Sequence, residues 1–335
     1  MVNNAHTPMA INRGQIPGVP GALKESLDDA WEAFAHAVSE AGLPLPRDPD
    51  FAASLLRVWA CSDFAADVCV HNPGLLYDLL DKGDLLSDYS AGEQGRKLNS
   101  TLLRVGDEAE LGEELRAFRT REMLRIAWRD LAGWACLDEV LVDLTSLADA
   151  CIAGALKQLN RWAADEYGSG RKKPKSSLVV LGMGKLGAHE LNFSSDIDLI
   201  FAYPGTGGDW PSSSISLEEF HLRIGQQLIH ALDSVTDRGF VYRVDMRLRP
   251  YGDSGPLVSS FDAMAEYYQL QGREWERYAM IKARPVAGPK TASRELMQLL
   301  RPFVYRRYLD FGAFESLRNL KEQIVREVER KGMQD

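Results

Sequence analysis

The sequence lacks any long hydrophobic run: no uninterrupted apolar stretch approaches the ~18–20 residues that a membrane-spanning helix requires. The amino terminus carries Asn, Pro and Gly instead of a basic patch followed by an apolar core, so we expect no secretory signal. Cysteine is also scarce, and its 4 residues form no CxxC pair and have no histidine at metal-ligand spacing. These absences predict a cytoplasmic protein with buried free thiols and no membrane association.

Positive charge is in deficit, with 39 Lys and Arg against 48 Asp and Glu and a net charge of −9 at pH 7. A chain that binds long stretches of nucleic acid usually needs a basic face to displace counterions. We therefore expect a small-molecule or protein substrate and no nucleic-acid partner. The hydrophobic fraction of 45% and the charged fraction of 26% are ordinary for a folded protein and exclude a mainly disordered or collagen-like chain.

Turn signals and hydrophobic periodicity divide the chain into five parts. The clearest helix covers Leu137–Leu159, where apolar residues recur at steps of three and four. A polar, basic stretch later in the chain marks a linker. The predicted parts are a flexible tail (1–22), a helical domain (23–167), the linker (168–176), a catalytic domain with strands (177–290) and truncated carboxyl-terminal helices (291–335).

The strand signals appear after the linker. We predict strands at Leu178–Leu181, Asp196–Tyr203 and Phe240–Arg249, since these runs are apolar or alternate and end at Gly or Pro. Between the second and third strands, Ser216 and Glu219 have the spacing of a capping box that opens a helix. The sequence therefore predicts an α+β fold, mainly helical, with a small mixed sheet.

A glycine motif directly follows the first predicted strand. Gly182, Gly184 and Gly187 match the GxGxxG fingerprint of dinucleotide-binding proteins, which would indicate an oxidoreductase. That fingerprint also requires a helix after the glycines and an acidic residue ~20 positions further on, at the end of a second strand. Only 8 residues separate Gly187 from Asp196, too few for such a helix, so this interpretation is the weakest alternative.

Two aspartates open the second predicted strand. Asp196 and Asp198 are two residues apart, and strand geometry places such positions on one face, about 6.6 Å apart at Cα. Neighbouring carboxylates repel unless a cation lies between them, and hard oxygen ligands favour Mg²⁺ or Mn²⁺. The alternative is a pair of solvated acids at a strand start.

The third predicted strand alternates apolar residues with one acid and three guanidiniums. Arg243, Asp245, Arg247 and Arg249 occupy one face, which fits either a surface strand or a cleft for metal and phosphate. In such a cleft Asp245 would complete the metal site, while the arginines hold phosphate oxygens. A glycine-rich turn, a D-x-D strand and a later lone Asp resemble the DNA polymerase β-like nucleotidyltransferase superfamily, although Lys185 stands where many members carry Ser.

Longer motifs carry a closer resemblance. Residues 181–201, 242–258 and 275–284 resemble the signatures of the bifunctional glutamine synthetase adenylyltransferase/adenylyl-removing enzyme family, and the similarity covers roughly residues 25–335. In that family an N-terminal domain removes AMP from a tyrosine of glutamine synthetase, using phosphate, and a C-terminal domain attaches it. The two serines before the D-x-D and residues 253–258 resemble the removing domain, so we interpret the chain as a fragment of that half.

The resemblance implies phosphorolysis of the AMP–tyrosine bond of adenylylated glutamine synthetase, with inorganic phosphate as substrate, ADP as product and Mg²⁺ or Mn²⁺ as cofactor. It also implies regulation by a PII-type signalling protein and glutamine. Asp196, Asp198 and Asp245 are the implied catalytic metal ligands. The expected phosphate- and nucleotide-binding residues are Gly182, Gly184, Lys185, Ser195, Arg247, Arg249, Lys282 and Arg284. The alternatives are the ATP-dependent attaching activity of the same family and a catalytically silent nucleotide-sensing module.

Overall fold

The computed structural model describes residues 21–46, 48–168, 178–205 and 215–305, with isolated positions between 315 and 330. Residues 1–20 of the predicted tail and almost all of the predicted linker lie outside the described residues. So does much of the predicted carboxyl-terminal region after residue 305.

The first half of the described chain is helical. Local signals set several helix starts: the Ser62 hydroxyl accepts a hydrogen bond from Ala65 N at 3.2 Å, and Pro73 stands at the first turn of its helix. The helices are α1 (Lys24–Glu40), α2 (Pro49–Cys61), α3 (Asp63–His71), α4 (Pro73–Asp81), α5 (Glu93–Leu102), α6 (Glu108–Leu131) and α7 (Leu137–Glu166).

The second half mixes strands and helices, which confirms the α+β fold class. Its elements are β1 (Val179–Gly182), α8 (Gly184–Gly187), β2 (Ile197–Tyr203), α9 (Leu217–Asp233), β3 (Val244–Asp245), β4 (Val258–Ser260), α10 (Phe261–Leu270), α11 (Glu274–Ile281), β5 (Arg284–Ala287) and α12 (Lys290–Val304). The predicted cap of α9 is present, since Glu219 N donates to the Ser216 hydroxyl at 3.1 Å.

The sheet is mixed, with β2 near its centre. β1 pairs antiparallel with β2 on one side and with β5 on the other. The remaining edge of β2 is shared by two short parallel strands, β3 near its start and β4 along its end. Every residue of β1 is buried, and so is every residue of β2 except Asp198, as expected for strands covered on both faces.

The predicted third strand, Phe240–Arg249, is wrong in length: only Val244–Asp245 is a strand. The chain turns away immediately afterwards because the Asp245 carboxylate accepts a hydrogen bond from Arg247 N at 2.8 Å. Arg249 N then bonds to Met246 O at 3.2 Å. Short polar side chains that bond the backbone two residues on favour turns over strand pairing. The predicted alternation of faces therefore ends at Asp245.

The described chain divides into two compact units, residues 1–94 with 117–147 and residues 95–116 with 148–335. This division differs from the predicted helical domain at 23–167, since α5 and the second half of α7 group with the sheet. Gln158 of α7 donates to Leu102 O at the end of α5 at 2.6 Å. A side chain at Gly154 would come within 2.9 Å of Leu102, so these two helices pack closely.

The first unit is a helical bundle whose core contains charged groups. Phe51 stacks on Trp128 with ring centroids 5.3 Å apart. The fully buried Arg125 bonds to the Asp143 carboxylate at 2.6 Å and to the carbonyls of Asp84 and Ser87. Buried charges must be paired in this way to offset the loss of hydration. None of the predicted site residues lies in this unit.

In the second unit, the sheet lies between helices. One face of β1 and β2, with Val179, Leu181, Ile200 and Ala202, packs against α10, α11 and α12. On the other face α9 approaches so closely that a side chain at Gly225 would lie 3.1 Å from Phe201. Because side chains alternate along a strand, Asp198 projects on the Ile200 face, which α10–α12 cover.

None of the described helices has the length and apolar character needed to cross a membrane. All four cysteines are free thiols. Cys69 and Cys151 are buried as predicted, whereas Cys61 and Cys136 are exposed. Cys61 is the last residue of α2 and Cys136 directly precedes α7, so both lie at helix ends instead of on a packed helix face.

Candidate active site

Two aspartates on adjacent parallel strands form the centre of the site. Asp198 of β2 lies directly opposite Asp245 of β3 in the strand register. Burial, and next the negative charge of Asp245, raise the pKa of Asp198. The hydrogen bonds from Arg247 instead hold the pKa of Asp245 below its usual value. The two carboxylates thus differ in proton affinity, and Asp198 is the less stable of the two as an anion.

Asp196 lies outside the β2–β3 pairing, but its negative charge contributes to the raised pKa of Asp198. It precedes the first residue of β2, and its side chain is 53% exposed. Its carboxylate accepts a hydrogen bond from Arg243 Nε at 2.5 Å, and Arg243 also donates to Ser194 O. β2 begins only at Ile197, so strand alternation does not fix the position of the Asp196 side chain, and its role as a metal ligand stays a prediction.

The glycine turn between β1 and β2 contacts the Asp198 carboxylate. Gly184 has a left-handed backbone with φ +52°, and a Cβ there would lie 2.9 Å from Asp198 Oδ2. Met183 N donates to Asp198 O at 2.9 Å, so the turn is also anchored to β2 through the backbone. A Cβ at Gly187 would lie 1.9 Å from Lys282 O, which requires glycine for the close backbone approach.

Arg247 is the predicted phosphate-binding residue that lies at the carboxylate pair. Its Nε and Nη2 donate to Asp245 at 2.9 and 2.5 Å, and its side chain is 74% exposed. This bidentate contact fixes the guanidinium at the edge of the pair while leaving much of it accessible. A phosphate group approaching the aspartates would therefore meet Arg247.

The other predicted basic residues have structural partners. Arg249 folds back on its own turn, donating to Met246 O at 2.8 Å and to Asp253 O at 3.2 Å. Lys282 forms an ion pair with Glu190 at 2.7 Å. The bonds of Arg249 stabilise the turn after β3, and the ion pair of Lys282 connects it to the loop after the glycine turn. A role for either in phosphate binding stays a prediction.

Arg284 connects the glycine turn to a helix. It binds both carboxylate oxygens of Asp149 in α7, at 2.8 and 3.0 Å, and donates to Leu186 O at 3.0 Å. Burial raises the pKa of Asp149 even beside this guanidinium. Sequence reasoning missed Asp149, because its partner is 135 residues away along the chain.

The remaining predicted residues lie around the same turn. Gly182 is buried in β1, where a Cβ would be 2.7 Å from Val286. Lys185 is exposed in α8. The Ser195 hydroxyl donates to Asn192 in the loop before β2. Their roles in phosphate or nucleotide binding stay predictions.

The carboxylates of the site offer a limited set of ligands for a divalent cation. Among the residues that the structure describes, no three His, Cys, Asp or Glu side chains converge on one point. Asp198 and Asp245 do provide two adjacent hard oxygen ligands, and their mutual repulsion is what a cation would relieve. Mg²⁺ commonly binds through one or two carboxylates together with substrate phosphates, so the pair fits such an ion, and a contribution from Asp196 stays a prediction.

A five-stranded mixed sheet, a glycine turn at the end of β1 and aspartates on β2 and β3 define a nucleotidyltransferase-like domain. A family model described as glutamate-ammonia ligase adenylyltransferase matches residues 52–299. The chain belongs to this family.

Curated relatives extend the comparison. Three of them are named bifunctional glutamine synthetase adenylyltransferase/adenylyl-removing enzyme. The protein from Nitrosococcus oceani is 50% identical over 326 residues, 96% of this chain and 34% of the relative. The proteins from Thioalkalivibrio sulfidiphilus and Pseudomonas aeruginosa are 48% and 52% identical, over 96% and 94% of this chain and 33% and 32% of their own lengths. The chain thus spans about a third of the length of these relatives.

Proposed function

We propose that this chain carries the adenylyl-removing activity: phosphorolysis of the AMP–tyrosine bond in adenylylated glutamine synthetase. The observation that supports it most is the cluster of Asp198, Asp245 and Arg247 beside the glycine turn. Two carboxylates and an accessible guanidinium suit a reaction at phosphorus between charged groups. The relatives' names point to glutamine synthetase as the protein substrate.

In the proposed reaction an oxygen of inorganic phosphate attacks the phosphorus of the AMP group. The new P–O bond yields ADP, the bond to the tyrosine oxygen breaks, and that oxygen takes a proton to restore the phenol. Asp198 and Asp245, with Asp196 as the third predicted ligand, would hold a divalent cation, which would neutralise charge on the phosphate groups. Arg247 orients phosphate oxygens through its fixed fork, and Gly184 keeps the space beside Asp198 open.

The motif variants around the aspartates favour removal over attachment of AMP. The removing reaction consumes inorganic phosphate, whereas the attaching reaction consumes ATP. PII-type protein and glutamine are proposed as regulators of the whole enzyme on the resemblance alone.

The test incubates the 335-residue chain with adenylylated glutamine synthetase, inorganic phosphate and Mg²⁺, and measures ADP. We expect ADP to form, to require phosphate, and to be lost in Asp198→Asn. Asp237→Asn serves as the matched control, because Asp237 is an exposed acid in a turn of the same unit. Incorporation of label from α-labelled ATP into unmodified glutamine synthetase would instead assign the attaching activity. Binding of nucleotide without either reaction would indicate a sensing module.

A further inference from the structure

A pocket of about 260 Å³ with aromatic walls opens beside Arg247, whose guanidinium binds Asp245. Its lining includes Arg247, Tyr251, Tyr267, Gln271 and Trp275. These residues come from the turn after β3 and from α10 and α11, the helices that cover the Asp198 face of the sheet. We call this the aromatic pocket.

The rings of the aromatic pocket are held in place. The Tyr251 and Tyr267 ring centroids lie 4.5 Å apart. Tyr267 donates its hydroxyl to the buried Glu276 carboxylate at 2.7 Å, and Gln271 Nε2 donates to the Tyr251 hydroxyl at 3.1 Å. Tyr251 is nevertheless 51% exposed and Trp275 39% exposed, so neither residue is buried in a core, and both line the pocket.

Tyr251 also has a strained backbone. Its φ is +63°, in the left-handed region that a bulky residue rarely adopts. Backbone strain of this kind clusters at active sites and ligand-binding positions. In this case the unusual turn presents an aromatic ring to the pocket rather than to the interior.

Arg247 connects the aromatic pocket to the carboxylate pair. The same guanidinium that lines the pocket donates two hydrogen bonds to Asp245, which lies opposite Asp198. A ligand with a flat ring in the pocket and a phosphate at the aspartates would therefore lie along the Arg247 side chain. A nucleotide has this shape, with a ribose between base and phosphate.

We infer that the aromatic pocket binds the purine base of the AMP group, placing its phosphorus at Asp198 and Asp245. The inference rests on the proposed function. The competing occupant is the phenol ring of the modified tyrosine. The base is favoured because the lining includes polar residues, Gln271, Ser254 and Arg273, which could bond the hydrogen-bonding edge of a purine. An esterified phenol has no such edge.

The experiment compares AMP with ribose 5-phosphate, which differs only in lacking the base, by calorimetry with the full chain and Mg²⁺. Trp275→Ala removes a ring wall, and Trp275→Phe restores an aromatic face. Trp134→Ala is the matched control, because Trp134 is similarly exposed at 37% but lies in the other compact unit. Thermal unfolding of each variant checks the fold.

We expect Trp275→Ala to weaken AMP binding by about 5- to 150-fold, the range for losing one base–aromatic stack. Ribose 5-phosphate affinity should not change, Trp275→Phe should recover most of the AMP affinity, and Trp134→Ala should match the wild type. The inference would be overturned if Trp275→Ala and Trp134→Ala bound AMP with equal affinity. It would also be overturned if the wild type bound no measurable AMP, or if phosphotyrosine competed for the aromatic pocket as well as AMP does.

The outcomes separate the two proposals. If the chain produces ADP from adenylylated glutamine synthetase while AMP binding ignores Trp275, the base pocket is wrong and the proposed function stands. If AMP binding depends on Trp275 but no ADP forms, the proposed function is wrong and the pocket is a nucleotide site of another activity.

Discussion

Asp198 and Asp245 form one of the two residue pairs that join β2 to β3 in the described chain; the other is Ile197 with Val244. The pKa of Asp198 is raised because burial and the Asp245 charge both disfavour its anion, so this pairing destabilises the folded state. We predict that, without divalent cations, Asp198→Asn is more stable than the wild type by on the order of 1 kcal/mol, the scale of a near-surface charge repulsion. Chemical denaturation in a chelating buffer measures this.

Adding Mg²⁺ should reverse the order. The ion binds the folded state of the wild type and raises its melting temperature, whereas Asp198→Asn should respond weakly. Asp237→Asn is the matched control, because Asp237 is an exposed acid in a turn of the same unit. If Asp198→Asn keeps the Mg²⁺ response of the wild type, or Asp237→Asn loses it as completely as Asp198→Asn, the assignment of the ion to this site is wrong.

Gly184 combines a left-handed backbone with contact to Asp198, and a substitution separates the two effects. Gly184→Ala should lose about 1–2 kcal/mol from the backbone alone and more from the clash of the new Cβ with Asp198 Oδ2 at 2.9 Å. Gly239→Ala is matched, because Gly239 has φ +78° and nothing within 4 Å of its Cβ position. Urea unfolding should show the greater loss for Gly184→Ala, and ADP formation should fall only in that variant. Equal losses of stability with equal activity would show that the turn does not position Asp198.

Arg284 and Arg247 were both predicted to bind phosphate, and the structure gives them different partners, Asp149 for Arg284 and Asp245 for Arg247. Arg284→Lys cannot keep the bidentate bond to Asp149, so we expect a stability loss of about 1–2 kcal/mol in this partly exposed pair. The KM for phosphate should change little. Arg247→Lys, at an exposed side chain, should leave stability near wild type and raise the KM for phosphate several-fold. Steady-state kinetics with both variants decides, and a KM effect confined to Arg284→Lys would contradict this division.

The sequence predicted elements whose pattern is local. β2 was predictable because a buried apolar run surrounds one acid, and α9 because Ser216 and Glu219 have cap spacing. The length of β3 was not, because the Asp245 side chain competes for Arg247 N and ends the strand. Nor was the Arg284–Asp149 pair, since nothing in local spacing links residues 135 positions apart.

His221 gives the protein a pH-dependent stability. Burial lowers the pKa of His221 from 6.5 to about 4. The unfolded chain therefore takes up the proton first, so the stabilising contribution is complete above pH ~6.5 and declines as the pH falls to about 4. That difference in pKa corresponds to about 3 kcal/mol of unfolding free energy. Urea unfolding from pH 7.5 to 4 measures the decline.

His221→Phe isolates this contribution. Phenylalanine keeps a ring against Tyr203, on which His221 stacks at 4.6 Å, but cannot take up a proton. It also loses the hydrogen bond from the ring to Leu217 O, so we expect about 1 kcal/mol less stability at pH 7.5. Between pH 6.5 and 4 the variant should lose less stability than the wild type. His71→Phe is the matched control, because His71 makes the same contact to the carbonyl four residues earlier, at 2.9 Å, in an exposed position. An identical pH slope in the wild type, His71→Phe and His221→Phe would show that the buried imidazole is not the group responsible.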